Sequence, residues 1–164
     1  MTDAQPNTSR DRTAATIVTR ASETTSFLTV FVDEQIYGLD VKEAGAVFKA
    51  GQITPIPLAR KEVRGFINLR GQIVVAVSLR RRLGLDETGC QESEKFAVGL
   101  EAANEHFALL VSRVGEVVAL PDSARSESPA HFSGSQSLFT RDFYLLGSKH
   151  IPILDVSRLF DFSL

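Results

Sequence analysis

The chain has one cysteine, one methionine and no tryptophan, and only two of its 164 residues are tyrosine. A single cysteine, Cys90, excludes an internal disulfide, leaves too few thiols for a structural zinc site and fits a reducing cytosol. Neither sign of charge dominates: 18 Lys and Arg stand against 20 Asp and Glu, a net charge of −2. No basic field draws the whole molecule to nucleic acid or to anionic lipid. Long apolar runs are missing as well. Ile17-Val18, the apolar stretch nearest the N-terminus, is too short for a signal-peptide core, and no run approaches membrane-spanning length. The expectation is a soluble, intracellular protein. His106, His131 and His150 fit no metal-ligand spacing, and phosphate-cradling glycine loop, Gly-x-Ser-x-Gly elbow and HExxH are all absent. Nothing positive supports catalysis, a cofactor or a metal.

What is present is an ordinary globular mixture, 43% hydrophobic and 23% charged. Its length suits one compact domain, or two very small ones sharing a core. Residues 1–25 are rich in Thr, Ser, Ala and Arg with little apolar pattern, which predicts a disordered N-terminal tail. Phe27, Thr29 and Phe31 then share one face of an alternating strand, and Ile36 to Leu39 returns after a turn at Asp33-Glu34-Gln35. Val41, Ala44 and Val47, spaced three apart, are compatible with a helical turn or an irregular connection. Strands are expected on both sides of Arg70-Gly71, then a helical turn over Leu79–Leu83 and a polar, acidic linker over Asp86–Glu94. Further strands are read at 96–100, 107–111, 114–120, 143–146 and 150–154, with a loop over 121–137. A short helix closes the chain over 155–160, with Asp155 as its N-cap.

Many short strands and almost no long helix point to small β-barrels. An internal repeat supports this. FINLRGQIVVAVSLRRRL (66–83) lies over FYLLGSKHIPILDVSRLF (143–160) without a gap, and YGLDVKEAGAVF (37–48) over FALLVSRVGEVV (107–118). Ala44 then meets Val114, Gly45 meets Gly115 and Val47 meets Val117. The halves run from about 27 to 86 and from 95 to 162, and two small barrels side by side would leave a groove between them. Arg80-Arg81-Arg82 is the one dense basic cluster. It reads as a solvated helical turn with local ion pairs; a nucleic-acid patch would want a longer basic stripe with interleaved aromatics.

The motifs YGLDV (37–41), ITPIP (53–57), GFINLRGQIVVAVSLRRRLGL (65–85) and IPILDVSRLF (151–160) together resemble the bacterial chemotaxis coupling-protein family, CheW. The resemblance covers about 27–160, and a CheW-like domain is expected over 26–164. It implies an all-β fold of two five-stranded SH3-like barrels packed side by side with short connecting helices. It implies a non-enzymatic adaptor, monomeric alone, without cofactor. Such a protein links the cytoplasmic tips of methyl-accepting chemoreceptors to the regulatory domain of a CheA-type histidine kinase, in arrays beneath the inner membrane. By motif, Arg70 and Asn68 of NLRG and the preceding Gly65 match receptor- or kinase-binding positions. Ala44 and Val47 match one apolar wall of the groove, Val114 and Val117 the other. Exposure is expected more for Ala44 and Val114 than for Val47 and Val117. The family usually reads close to Pro-Val-x-Asp-Leu-Arg where this chain has Val75 to Arg80, so Ser78 replaces an Asp. Ser112 and Ala46 likewise stand where acidic residues are common. These departures leave room for a divergent chemosensory system, such as one controlling pili. A small-barrel nucleic-acid binder is the remaining alternative.

Overall fold

The computed structural model describes residues 23–85, 94–132 and 134–164. Cys90, most of the expected acidic linker and most of the expected tail lie outside these residues. Eleven strands are present in order: β1 Thr24–Val32, β2 Gln35–Asp40, β3 Ala44–Lys49, β4 Val63–Leu69, β5 Gln72–Ser78, β6 Phe96–Ala102, β7 Glu105–Val111, β8 Arg113–Pro121, β9 Arg125–Ser126, β10 Thr140–Leu146 and β11 Lys149–Leu154. Three single-turn helices follow particular strands: α1 Leu79–Arg82, α2 Ser135–Leu138 and α3 Val156–Leu159. The all-β expectation is met, as are the hairpin around Arg70-Gly71 and both terminal helical turns. Ser78 and Asp155 cap α1 and α3 in the same way, each accepting from the main-chain N–H three residues on. Ser78 thus does the capping work that Asp155 does in the other half.

Three readings are corrected. Residues 44–49 form a strand rather than a helical turn. The segment 121–137 is more than a loop, since it holds a 3₁₀ turn at Asp122–Ala124, strand β9 and the start of α2. The first strand begins at Thr24, inside the stretch read as tail.

The strands form a five-stranded sheet, β3-β6-β7-β5-β4, and a six-stranded one, β8-β1-β2-β11-β10-β9. Each sheet mixes strands from both halves of the sequence. The hairpin β6–β7 joins β3, β4 and β5, while β1–β2 joins β8, β10 and β11. Each hairpin has one antiparallel join, β6 with β3 and β1 with β8, and one parallel join, β7 with β5 and β2 with β11. Small side chains allow the close approach there. Ala76 lies opposite Ala108, and Gly38 opposite Ile153, whose Cδ1 would stand 2.5 Å from a Cβ at residue 38.

Alternation along the strands divides the core. Leu28, Val30 and Val32 of β1, Tyr37 and Leu39 of β2, and Phe107, Leu109 and Val111 of β7 point into a large cluster between the sheets. Ala108 and Leu110 point the other way, into a cluster with Ile67, Val74, Ala76 and Ala97. Phe27 joins Leu120, Tyr144, Ile151 and Ile153 behind the six-stranded sheet. Phe27, Thr29 and Phe31 do share a face as read, but the opposite face of β1 fills the inter-sheet core. A fully buried aliphatic or aromatic side chain contributes about 1.5–3 kcal/mol, so central strands buried on both faces anchor the fold.

Candidate functional site

The strands β3 and β8 each lie at one edge of their sheets, and both carry a β-bulge at the same place. Ala44 pairs with Leu100 and Val47 with Val98, so three steps along β3 match two along β6. Val114 pairs with Val30 and Val117 with Leu28, three steps against two again. A bulge returns the chain to the same face after three residues. All four partners, Leu28, Val30, Val98 and Leu100, belong to the inter-sheet core. Ala44, Val47, Val114 and Val117 therefore all lie on the faces that the sheets turn toward that core. The three-residue spacing that suggested a helical turn is the imprint of the bulge.

Their exposures reverse the sequence expectation. Ala44 and Val114 pack against the inter-sheet core, whereas Val47 and Val117 are 43% and 57% exposed. In each bulged strand the first residue of the pair is tucked against the core and the second is exposed. Glycine permits the bulges. A Cβ on Gly45 would meet the Gly99 carbonyl oxygen at 3.0 Å, and one on Gly115 would meet Thr29 Oγ1 at 2.4 Å.

Arg70 and Gly71 form the two-residue turn between β4 and β5, with φ of 49° and 88°. Two successive left-handed residues match the twist of a tight hairpin. Arg70 is exposed, and a non-glycine residue held there carries strain. At the corresponding turn of the second repeat, the same place is taken by Gly147, with φ of 62°. Asn68 Oδ1 accepts from the Gly71 N–H at 2.8 Å, so Asn68 shapes the turn. Gly65 is buried with φ of 144°, and a Cβ there would stand 2.1 Å from the Thr54 carbonyl oxygen. Its role in the structure is to let the strand pass under Thr54, which bridges Phe66 by paired main-chain bonds of 2.8 and 2.9 Å.

A cavity of about 570 Å³ connects part of this set. Ala44, Gly45 and Ala46 form one side, and Leu69 and Gln72, the feet of the Arg70 turn, form another. Glu43 lines it as well. Burial raises its carboxyl above the usual range, against the opposing effect of Arg141. Arg141, which no sequence motif marked, reaches across from β10 to Asp40 at 3.6 Å and Glu43 at 3.9 Å, beside the start of β3.

The basic cluster is not a solvated turn. Arg80 and Arg82 are buried, and Arg80 pairs with Asp33. Arg81 donates to the Lys61 carbonyl at 2.9 Å. Charge that looked available to a ligand is consumed by the fold. Ser112 also has a local role: its hydroxyl accepts from the Asp33 N–H at 3.1 Å and steadies the β1–β2 turn.

Two interleaved sheets around a common core, with matched bulges on edge strands, define a small all-β domain. A family model described as CheW-like domain matches residues 26–163, and the chain belongs to that family. It is 24% identical over 136 residues to the Chemotaxis protein CheW of Treponema pallidum (strain Nichols), covering 81% of this chain and 80% of that protein. It is 32% identical over 92 residues to the Chemotaxis protein CheW of Thermotoga maritima, covering 56% of this chain and 60% of that one. The crystal structure of the scaffolding protein TtCheW from Thermoanaerobacter tengcongensis superposes with a TM-score of 0.74 at 26% identity, covering 85% of this chain and 94% of that one. Family and structural likeness together support a chemotaxis coupling adaptor. Among the described residues, no helix is long and apolar enough to cross a membrane.

Proposed function

We propose that this protein is a non-enzymatic adaptor that couples chemoreceptors to a CheA-type histidine kinase, in the cytoplasm at receptor arrays. The carrying observation is the matched pair of bulges that sets Ala44, Val47, Val114 and Val117 on the inward-turned faces of the two sheets. An α-helical receptor tip would lay an apolar strip against Val47 and Val117. Arg70, presented on a rigid two-residue turn, offers a planar five-donor head to a carboxylate or to carbonyl oxygens of a partner. The regulatory domain of the kinase is the second partner, and holding both raises their effective local concentration. Burial of Arg80 and Arg82 weighs against the nucleic-acid alternative. Ala46 lines the cavity, and a receptor set that meets an apolar wall there is part of this reading.

The test is calorimetric titration of the protein with the kinase regulatory domain, and separately with the cytoplasmic hairpin of a receptor from the same cell. Saturable one-to-one binding to both is expected. Binding to neither, by a folded protein, rejects the adaptor reading.

A further inference from the structure

The two bulges are alike in register but not in how they are held. On β8 the bulged residues Gly115 and Glu116 lie opposite Thr29 of β1, whose neighbours Leu28 and Val30 pair with Val117 and Val114. Thr29 is buried, 4% exposed, and points away from the inter-sheet core. Its hydroxyl donates to the Glu116 carbonyl oxygen at 2.7 Å. A bulge leaves its extra residue unpaired in the ladder, and this side-chain bond supplies a partner there. Gly115 has room for that hydroxyl only because it lacks a Cβ. On β3 the bulged residues lie opposite Gly99, which has no side chain to donate. One bulge is tied by a side-chain hydrogen bond, while at the other the residue opposite has no side chain to supply one.

We propose that Thr29 is a positioning residue for partner binding. Its hydroxyl locks the β8 bulge and so fixes the placement of Val114 and Val117. The inference rests on the adaptor reading, in which Val117 faces the receptor and Val114 seats the strand against the core. Thr29 itself touches no partner in this scheme.

The experiment compares Thr29→Val, which keeps the shape and removes the donor, with Thr29→Ser, which keeps the donor. Both are titrated with the receptor cytoplasmic hairpin and with the kinase regulatory domain, and amide exchange is followed over residues 115–118. Thr29→Val is expected to lose about tenfold in affinity for the hairpin, on the scale of one hydrogen bond. It should exchange faster at 115–118 and bind the kinase domain as the parent does. Thr29→Ser should restore hairpin affinity and exchange to near the parent values. If Thr29→Val does not unfold cooperatively, Thr29→Ala replaces it under the same criteria. Undiminished hairpin binding by a folded variant without the hydroxyl overturns the positioning role alone. Failure of Thr29→Ser to restore binding assigns the effect to packing and also overturns it. Absence of hairpin binding by the parent protein overturns the adaptor reading and this inference with it.

Discussion

The Arg82 guanidinium donates from Nε to the main-chain carbonyl of Leu159 at 2.7 Å, across 77 residues of sequence. A second nitrogen bonds the Arg158 carbonyl at 3.1 Å and the Asp161 carbonyl. The rings of Phe139 and Phe162 lie over the same group, 4.6 and 4.9 Å from its central carbon. One buried cation from the first repeat thus supplies donors to carbonyls at and just beyond the end of α3.

Arg82→Leu should therefore destabilise the protein by about 3 kcal/mol, because buried carbonyls lose a charged donor. Arg82→Lys should recover little of this, since an ammonium cannot reproduce the planar fork between two rings. Urea unfolding followed by circular dichroism measures both. A change under ~1 kcal/mol for the leucine variant would show the tie to be dispensable.

Arg70→Gly separates strain from binding. Glycine relieves the left-handed conformation at φ of 49°, so stability should rise by up to about 1 kcal/mol. Partner affinity should fall by roughly 1–3 kcal/mol, the scale of a charged hydrogen bond. Thermal unfolding and calorimetric titration on the same preparation check the two opposing signs.

Gly65→Ala is expected to be far more damaging than its size suggests. Its Cβ would stand 2.1 Å from a carbonyl oxygen, in a backbone region unfavourable to alanine. A loss of about 3 kcal/mol, or no soluble protein, is the expected result. Near-parent stability would mean that the segment over Thr54 moves aside.

Charge on the exposed wall positions should act on binding, and charge on the tucked ones on folding. Val47→Asp and Val117→Asp should stay within about 1 kcal/mol of the parent in stability yet lose hairpin binding. Val114→Asp, against the inter-sheet core, should lose several kcal/mol of stability. Unfolding curves and pull-down of the receptor hairpin distinguish the two classes.

Acidification should expose the cap of α3. Burial raises the Asp155 carboxyl, but the Ser157 hydroxyl, the Arg158 N–H and the Arg158 and Arg141 guanidinium groups outweigh it and leave it below its ordinary 3.8. A depressed carboxyl stabilises the fold above that value, and the contribution is lost as pH falls through the lower folded one. Asp155→Asn, still able to cap, should flatten the decline in urea midpoint below about pH 4.

What the sequence determined by itself was local. Alternating apolar residues marked most strands, Asp155 marked a helix start, and Arg70-Gly71 marked a hairpin, because each depends on neighbours within a few residues. The repeat matched Ala44 with Val114 and Val47 with Val117, and the ladders place these pairs at equivalent bulges. Tertiary structure decided the rest. Which sheet a hairpin joins is set by pairing between distant strands, and no local pattern encodes that β1–β2 lies beside β11. The bulge turned a strand's period of two into a spacing of three, and packing between the sheets left Val47 and Val117 exposed rather than Ala44 and Val114. Arg80 and Arg82 looked like surface charge until distant groups, Asp33 and the carbonyls around Leu159, were brought to them. A charged side chain is buried only when the fold supplies its partners, and those partners are far away in the chain.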